Sequence, residues 1–262
     1  MAYYPTLDEL FSHEDILIKR VDIAMIRKLS MTLLQPRCYL CDMPIDNLQP
    51  FLCLLCQQEL PYLSALSCYR CALPLTTYQQ GLCHECINQK PTWQRLITCM
   101  IYTLECQYLI KQYKFSQQPQ LHLLFSQLLS RSVSNNIIQH NYSLPEALVS
   151  IPLHKKRLVK RGYNQAQLLA QDLAKQLQIP LISEKEFIRA KNTKAQAQQT
   201  AAERSNNMHN AFQVTQPITT KHIAIIDDVV TTGETMKAAC QALFTAGVER
   251  IDIWCIARTL AD

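Results

Sequence analysis

Residues 223–235 read IAIIDDVVTTGET, and no other stretch of the chain says as much about its architecture. The first four residues are all apolar, which predicts a strand that is buried on both faces of a sheet. Asp227 and Asp228 are therefore expected at the carboxyl end of that strand. Open parallel sheets bind their ligands at this edge, so the two carboxylates are candidates for a binding site.

A short polar loop follows the two acids and leads into a helical pattern. The loop consists of Thr231, Thr232, Gly233, Glu234 and Thr235. The unpaired amides of such a helix start can surround a phosphate, because they lie at the positive end of the helix dipole. Asp227 and Asp228 would repel a bare phosphate, but carboxylates suit the hydroxyls of an attached ribose, or a Mg²⁺ ion bound to those hydroxyls. A strand, an acidic turn and a capped helix without a ligand is the alternative.

Two common phosphate-binding patterns are excluded. The stretch lacks the Gly-Lys-Ser/Thr ending of a Walker loop, and Gly233 stands alone where a dinucleotide fingerprint needs several glycines. The thirteen residues instead resemble the phosphoribosyl pyrophosphate (PRPP) motif of type I phosphoribosyltransferases. The resemblance implies a parallel α/β fold in which Asp227 and Asp228 are catalytic residues that hold the ribose. It also implies that residues 231–235 hold the 5′-phosphate and that Mg²⁺ accompanies PRPP.

Eight of the twelve cysteines form four Cys-x-x-Cys pairs that repeat every fifteen residues. The pairs are Cys38 with Cys41, Cys53 with Cys56, Cys68 with Cys71, and Cys83 with Cys86. Each pair places two thiolates on one side of a tight turn, so two pairs complete a tetrahedral site and all four predict two structural zinc ions. The equal spacing permits neighbouring or interleaved pairs to share a metal. Neighbouring pairs are favoured because they close shorter loops.

Disulfides and iron–sulfur clusters are the competing interpretations of these cysteines. Disulfides are disfavoured in a cytoplasmic chain, whose thiols stay reduced. Known iron–sulfur runs have tighter or less symmetric spacings. The remaining four cysteines have no partner spacing and are expected to be small core residues: Cys99, Cys106, Cys240 and Cys255.

Length and composition predict two unequal folded units, since the chain has 262 residues of which 48% are hydrophobic. No run of eighteen uncharged apolar residues occurs, and the N-terminal segment lacks a basic stretch followed by an apolar one. We therefore expect a cytoplasmic protein without membrane insertion. The predicted divisions are an amphipathic extension over residues 1–34, a four-knuckle zinc-ribbon module over 35–91, and a phosphoribosyltransferase-like domain over 92–262.

Strand and helix patterns alternate after Pro91. Strands are predicted over residues 96–102, 147–153, 180–183, 223–227 and 251–257. Helices are predicted over residues 105–114, 121–129, 164–178 and 234–246. Such alternation indicates a parallel sheet with right-handed crossovers.

Positive charge is concentrated in one block. The net charge of the whole chain is +5, whereas residues 150–204 alone carry +7. Five of these cations directly follow a predicted strand: Lys155, Lys156, Arg157, Lys160 and Arg161. They leave the same sheet edge as Asp227, so we expect them to face a polyanion, either a small molecule or nucleic acid. In type I phosphoribosyltransferases the corresponding loop holds the pyrophosphate. A solvated helix face is the alternative for so short a basic run.

The same region resembles the ComF family of competence proteins. Residues 161–165 read RGYNQ and are similar to the family signature Arg-Gly-Phe-Asn-Gln, with Tyr163 in place of Phe. Residues 189–196 resemble the family's Arg-x-Arg-x-Thr-x-x-Gln, although Lys191 stands where Arg is commoner. Arg204, Asn207, Ala211 and Phe212 match its Arg-x-x-Asn-x-x-x-Ala-Phe. The resemblance covers residues 38–260, including the cysteine module.

The ComF resemblance implies a hood over the acceptor between two core strands. Its residues would be Arg189, Lys191, Thr193, Gln196, Arg204 and Asn207. Composition alone indicates a polar flexible loop for residues 191–207. Long functional loops in such a position serve as lids.

The ComF resemblance also implies a function, the handling of imported single-stranded DNA in the cytoplasm during natural transformation. The implied partners are PRPP, single-stranded DNA and other competence or recombination proteins. Two alternatives stay open: an active phosphoribosyltransferase of nucleotide metabolism with an unidentified acceptor, and a PRPP-sensing regulator. Glycosyl transfer from PRPP needs no dedicated nucleophile, so the lack of a Ser-His-Asp set does not count against an enzyme. Tyr163, Trp93 and Phe115 are aromatics that could stack on bases, or simply pack.

Overall fold

The computed structural model describes residues 36–45, 51–64, 66–75, 81–115, 118–190 and 211–260. Contacts divide the chain into two compact units, Met1–Gln58 and Glu59–Asp262. In the first unit, the described residues form turns around the first two cysteine pairs and a short helix, α1 (Leu54–Gln58). The second unit contains the other two cysteine pairs and the α/β sheet. None of the described helices combines the length and apolar character needed to cross a membrane.

The second unit alternates strands and helices along most of its length. Its described helices are α2 (His84–Asn88), α3 (Leu104–Phe115), α4 (Leu121–His140), α5 (Lys155–Arg161), α6 (Gln165–Leu177) and α7 (Glu234–Thr245). Its described strands are β1 (Arg95–Ile101), β2 (Ala147–Ser150), β3 (Phe187–Arg189), β4 (Phe212–Val214), β5 (His222–Val230) and β6 (Arg250–Arg258).

Four of these strands form one sheet in the order β1-β6-β5-β2, and every pairing in it is parallel. The predicted parallel α/β fold is therefore confirmed. β3 and β4 form a separate antiparallel pair. The central strands β5 and β6 are buried over nearly their whole length, as expected for strands that are covered on both faces.

Helices cover both faces of the sheet. α7 contributes Met236, Ala239, Cys240 and Leu243 to a core that includes alternate residues of β5 and β6. Helix α4 contacts β1 and β6, and α6 contacts β2 and β5. Successive side chains of a strand point to opposite faces, and β5 and β6 are buried at successive positions, so both faces of the sheet are covered. The four cysteines outside the Cys-x-x-Cys pairs are all buried, as predicted.

Helix α4 is longer than the sequence predicted. It runs to His140 rather than ending at Leu129. Its second half contains several Ser and Asn residues, which have low helix propensity, and this composition hid the pattern. Phe125, Leu129 and Val133 are buried at four-residue spacing, so packing against the sheet extends the helix.

The predicted strand over residues 180–183 is reduced to one parallel bridge between Leu148 and Leu181. Pro180 accepts a hydrogen bond from the backbone N–H of Leu148 through its carbonyl, but it has no N–H to donate. β2 also ends earlier than predicted, at Ser150. The sheet is therefore narrower at this side than the hydrophobic pattern indicated.

Strand β5 is longer than predicted, and this changes the place of the two acids. It runs to Val230 because β6 stays paired with it as far as Arg258. Asp227 and Asp228 therefore lie within the strand and not beyond its end. On the other side β2 stops at Ser150, opposite Ile226. Asp227 and Asp228 thus directly follow the residue at which β5 loses its pairing with β2.

A buried polar cluster holds the opposite end of the sheet. Asp252 of β6 is fully buried. Its Oδ2 accepts a hydrogen bond of 2.8 Å from the Tyr142 hydroxyl and lies 2.5 Å from Nε2 of His222. Buried charges are tolerated only when such partners are present, so these three side chains depend on one another.

Replacing Asp252 by Ala should destabilise the fold strongly, since Tyr142 and His222 would lose their buried acceptor. We expect the free energy of unfolding, measured by urea denaturation, to fall by about 3 kcal/mol or more. Glu249→Ala is the control, because Glu249 pairs with Lys221 on the exposed surface and should change it by less than about 1 kcal/mol. Equal losses in the two variants would contradict the structural importance of the cluster.

Candidate functional site

Asp227 and Asp228 point to opposite faces of the sheet, because they are neighbours on one strand. Asp228 is buried, and its Oδ1 lies 2.9 Å from Nζ of Lys114 at the end of α3. Asp227 Oδ1 accepts a hydrogen bond of 2.8 Å from the backbone N–H of Asp228. Lys114 was not among the residues predicted for the site. A lysine in the last turn of a helix is a common feature, so no sequence signal set this one apart.

The surroundings of Asp227 perturb its ionisation. Burial, and next the charge of Asp228, raise the pKa of Asp227 to about 7. Lys114 and Arg189 lower the same pKa, but they do not outweigh the burial. Asp227 therefore gains or loses its charge near neutral pH. Its ability to bind a cation or to accept hydrogen bonds from hydroxyls would change over the same range.

The predicted phosphate loop, residues 231–235 and called the phosphate loop below, comprises the connection after β5 and the start of α7. Thr231 and Thr232 are exposed, whereas Gly233 is buried and begins the helix with φ of +83°. A Cβ at this position would lie 2.9 Å from the indole of Trp93, so only glycine fits. The first amides of α7 have no acceptor within the helix and remain available for an anion.

One predicted loop residue is otherwise engaged, since the Glu234 carboxylate lies 2.7 Å from Nζ of Lys237. The loop is also held from the side by Arg258, at the end of β6. Its Nη1 donates a 3.2 Å hydrogen bond to the carbonyl of Val230 and another to that of Thr231. Sequence reasoning missed Arg258, because nothing in the motif points to a cation so far along the chain.

The basic segment after β2 forms helix α5, as in the alternative interpretation of this run. His154 Nδ1 accepts a hydrogen bond of 3.2 Å from the backbone N–H of Lys156 at the start of the helix. Gly162, with φ of +83°, ends it through a 2.8 Å bond to the carbonyl of Leu158. Three of the five predicted cations are exposed on this helix: Lys155, Lys156 and Lys160.

Two arginines of the predicted site are partly buried close to a third. Burial, and next the charge of Arg161, lower the pKa of Arg157. Burial, and next the charge of Arg157, lower the pKa of Arg189 on β3, while Asp227 raises it. Arg189 is thus electrostatically coupled both to the basic helix and to the acids. Crowded cations of this kind favour the binding of an anion.

The RGYNQ segment builds a corner between four elements. The Arg161 guanidinium lies 5.0 Å from the centre of the Phe115 ring and donates a 3.1 Å hydrogen bond to Gln165. The Tyr163 hydroxyl donates to the backbone carbonyl of Tyr113. Asn164 Nδ2 donates to the carbonyl of Ile151 at 3.2 Å. These contacts join α5 and α6 to the end of α3 and to the end of β2.

The aromatic side chains singled out for base stacking differ in accessibility. Trp93 is only 6% exposed, because its indole packs under Gly233. Tyr163 packs beside Tyr113, with ring centres 6.1 Å apart. Phe115 is 66% exposed, although one side of its ring faces Arg161. Of the three, Phe115 has the surface that a base could reach.

The cysteine pairs assemble into two groups of four. The first cysteine cluster is Cys38, Cys41, Cys53 and Cys56, and the second cysteine cluster is Cys68, Cys71, Cys83 and Cys86. Within each cluster all sulfur atoms lie within 4.8 Å of one another. Neighbouring pairs therefore come together, as predicted, and each cluster could hold a metal ion.

The sulfur spacing in both clusters suits zinc. A tetrahedral ion with Zn–S bonds of 2.3 Å requires sulfur atoms about 3.8 Å apart. Cys41 and Cys53 are separated by 3.7 Å, and Cys71 and Cys83 by 3.6 Å. Four thiolate ligands close the coordination shell, so such an ion would be structural.

The hood predicted from the family resemblance is only partly within the described residues. β3 and β4 would form its base, and they pair with Arg189 opposite Phe212. The other hood residues lie outside the described residues: Lys191, Thr193, Gln196, Arg204 and Asn207. Arg189 is therefore the one residue of the predicted hood within the described ranges, and its pKa responds to the charges of Arg157 and Asp227.

Comparison with known proteins shows which families the chain resembles. A family model described as phosphoribosyl transferase domain matches residues 164–262. The DNA utilization protein YhgH of Salmonella typhimurium is 33% identical over 223 residues, which span 85% of this chain and 97% of the relative. Competence protein F of Haemophilus influenzae is 34% identical over 175 residues, or 66% of this chain and 76% of the relative.

Two further comparisons cover less of the chain. Competence protein ComFC of Bacillus subtilis is 35% identical over 103 residues, which span 38% of this chain and 39% of the relative. Among solved structures, a purine phosphoribosyltransferase from Pyrococcus horikoshii matches with 18% identity and a TM-score of 0.28, over 52% of this chain and 74% of that one. That TM-score is too low to support a conclusion about the site.

The pKa of Asp227 predicts how stability depends on pH. Between pH 3.8, its ordinary pKa, and about 7, the folded protein holds a proton that the unfolded chain has released. The loss of this proton from the folded protein therefore lowers the free energy of unfolding as pH rises through that window. Lys114→Gln removes a charge that lowers the pKa, so the fall should become larger and extend to higher pH.

Urea denaturation at a series of pH values between about 5 and 9 measures this effect. Lys111→Gln is the matched control, since Lys111 lies on the same helix and contacts Gln107 on the exposed surface. Its stability profile should keep the shape of the parent's. Parallel profiles for Lys114→Gln and Lys111→Gln would contradict the coupling of Lys114 to the acids.

Proposed function

The chain belongs to the ComF family of competence proteins, and from this premise we propose that it binds PRPP with Mg²⁺ at the edge of β5 and handles imported single-stranded DNA in the cytoplasm. A phosphoribosyltransferase domain over residues 164–262 supports the first part. The observation that carries it is the succession of Asp227, Asp228 and a loop that starts α7 at Gly233.

The ribose 5-phosphate half of PRPP fits the acids and the phosphate loop. Carboxylates accept hydrogen bonds from ribose hydroxyls. Asp227 and Asp228 could do so at the edge of β5 that is no longer paired with β2 beyond Ser150. The first amides of α7 can donate to the 5′-phosphate, together with the hydroxyls of Thr231, Thr232 and Thr235. Mg²⁺ bound by the hydroxyls and the pyrophosphate would balance the negative charge of this assembly.

The pyrophosphate half fits the arginines. Arg157 and Arg189 have lowered pKa values because they are partly buried and close to like charges. A bound pyrophosphate would relieve this repulsion and accept charge-assisted hydrogen bonds from both guanidinium groups. The same contacts would stabilise pyrophosphate as a leaving group, since it takes the electron pair of the breaking C1–O bond while the ribose becomes oxocarbenium-like.

Calorimetric titration with PRPP and MgCl₂ tests this site. We expect Arg157→Gln and Arg189→Gln each to weaken binding about tenfold or more, because each removes a charge-assisted hydrogen bond. Arg131→Gln, on the exposed part of α4, is the control and should bind like the parent. Unchanged binding in both site variants would contradict the proposed pyrophosphate contacts.

Pyrophosphate release in the presence of PRPP, Mg²⁺ and a panel of bases separates binding from transfer. Release with one base, abolished in Asp227→Ala and Asp228→Ala, would support an active transferase. Retained PRPP binding without release from any base would support a binding or sensing role.

The exposed lysines of α5 favour single-stranded DNA as a second ligand. Lys155, Lys156 and Lys160 are exposed, and the helix carries no acidic residue. Val159 is 85% exposed beside them. Flexible point charges next to apolar surface suit a strand of phosphates and bases without sequence preference. The partly buried arginines would thus bind PRPP, whereas the exposed lysines would bind the polymer.

Fluorescence anisotropy with labelled oligo-dT at several salt concentrations tests this division. Replacing the three lysines of α5 together by Gln should weaken DNA binding and reduce the salt dependence, log K against log salt, by roughly 2 units of slope. PRPP binding should be retained. A triple variant with the same change of net charge, Lys175→Gln, Lys185→Gln and Lys221→Gln, should keep the parental slope. Loss of the slope in both triple variants would show that net charge, and not α5, governs binding.

A further inference from the structure

The second cysteine cluster is connected to the phosphate loop by hydrogen bonds. Residues 69, 70 and 71, within one Cys-x-x-Cys turn, each offer a backbone carbonyl to the α/β fold. Tyr69 accepts a 3.0 Å hydrogen bond from the backbone N–H of Leu96. Arg70 accepts one of 2.6 Å from the indole N–H of Trp93, and Cys71 one of 3.0 Å from Nε of Arg258. Three consecutive carbonyls of the turn are therefore engaged.

Trp93 and Arg258, which donate two of these hydrogen bonds, also contact the phosphate loop. The ring of Trp93 packs so closely under Gly233 that a Cβ there would lie 2.9 Å away. Nη1 of Arg258 donates to the carbonyls of Val230 and Thr231, where β5 passes into the loop. Trp93 and Arg258 thus support both ends of the segment 230–233 from one cysteine turn.

The cysteine turn itself depends on its ligand cysteines. Its buried core consists of Cys68, Cys71 and Cys86, with a few leucines packed around them. Ala72, directly after Cys71, has φ of +58°, a left-handed conformation that costs energy for any residue with a Cβ. Its side chain is buried in the same core as Trp93. A metal ion that joins the four sulfurs would hold this turn in shape.

We propose that the metal ion of the second cysteine cluster sets the conformation of the phosphate loop, and that Trp93 and Arg258 are the positioning residues that transmit it. Neither side chain needs to touch the ligand. Amides that bind a phosphate must be held within fractions of an ångström, because they act through direction as well as distance. Loss of the metal would release the carbonyls of residues 69–71 and so loosen the loop. The consequence for ligand binding rests on the proposed function, in which this loop holds the 5′-phosphate.

Amide hydrogen exchange of the full-length, zinc-loaded protein tests the loop without any ligand. Cys83→Ser removes one sulfur of the second cluster, and zinc analysis should show one ion fewer per chain. We expect exchange at residues 230–236 to rise at least fivefold, while residues 223–226 and 251–256 keep parental protection. Cys83→His restores a zinc ligand and should return exchange toward the parental rate. An unchanged loop in a Cys83→Ser protein that has lost its zinc would overturn the proposal.

Two variants that keep all cysteines remain decisive where Cys83→Ser does not fold. Trp93→Phe keeps a ring under Gly233 but removes the hydrogen bond to Arg70. Arg258→Lys keeps the charge but cannot reach both the turn and the loop. Both should retain full zinc content and raise exchange at residues 230–236. Arg250→Lys, at the other end of the same strand, is the matched control and should not change it. Parental exchange in both Trp93→Phe and Arg258→Lys would overturn the transmission.

The emission of Trp93 adds a spectroscopic signature. The chain contains two tryptophans, and the other, Trp254, is fully buried in the sheet. In a Trp254→Phe background, loss of zinc by Cys83→Ser should shift the emission of Trp93 to longer wavelength, since its ring would become wetter. Emission that does not move when zinc is lost would count against a change at Gly233.

PRPP titration of the same proteins separates the two proposals. If the parent binds PRPP, and the affinity falls at least tenfold in Cys83→Ser and Arg258→Lys, both the PRPP site and its coupling to the metal are supported. If the parent binds no PRPP but loop exchange still responds to the loss of zinc, the coupling stands and the proposed ligand is wrong. If the parent binds PRPP, and Cys83→Ser binds it equally well with an unchanged loop, the coupling alone is overturned.

Discussion

The neighbouring carboxylates of Asp227 and Asp228 impose the constraint on which much of the second unit depends. Burial and mutual repulsion both oppose the ionisation of such a pair, and the pKa of Asp227 is raised to about 7 as a result. Uncompensated charges inside a protein cost far more than ordinary hydrogen bonds. The fold compensates from several sides: α3 brings Lys114 to within 2.9 Å of Asp228, and β3 brings the charge of Arg189 near Asp227.

The RGYNQ segment also has a structural role, because it holds the end of α3 on which Lys114 lies. Lys114 lies between Tyr113 and Phe115, and both neighbours are held by the corner that this segment forms. The Tyr113 hydroxyl donates a 2.7 Å hydrogen bond to the carbonyl of Gln165, and its own carbonyl accepts one from Tyr163. Arg161 lies over the ring of Phe115. Arg161, one of the cations predicted to hold pyrophosphate, and Tyr163 therefore also hold the end of α3 on which Lys114 pairs with Asp228.

Local patterns in the sequence predicted the elements that depend on neighbours in the chain. The run IAIIDD predicted a buried strand, although its two acids lie within that strand and not beyond its end. The short polar loop after the acids predicted a helix start, and the short loops between neighbouring Cys-x-x-Cys pairs predicted which sulfurs meet. The parallel order of the sheet followed from the alternation of strands and helices. Each of these features is set by periodicity or by short loops, and both are visible in one sequence.

Contacts between distant segments could not be predicted in this way. Lys114, Trp93 and Arg258 lie near the acids or the loop only because of the path of the folded chain. The full length of β5 was missed for the same reason, since β6 determines where its pairing ends. The sequence left both a loop and a solvated helix face open for the cations after β2, and they form a helix that His154 and Gly162 cap. The hood could be predicted only from family resemblance, because its composition contains no periodic pattern.

The cations beside Asp227 differ in exposure, and this difference would allow one surface to bind two different anions. Arg157 and Arg189 are partly buried, so salt screens their interaction with a compact anion only weakly. The lysines of α5 are exposed, so their attraction for a long polyanion is strong at low salt and falls steeply as salt is added. A small, highly charged ligand with a ribose would be selected by geometry beside Asp227, whereas a polymer would be held by the number of phosphates within reach of α5.

Because Arg157 and the lysines share one short helix, occupancy of the arginine site would also change the electrostatic field at the site of the polymer. The two ligands would then be coupled through charge even if they never touch.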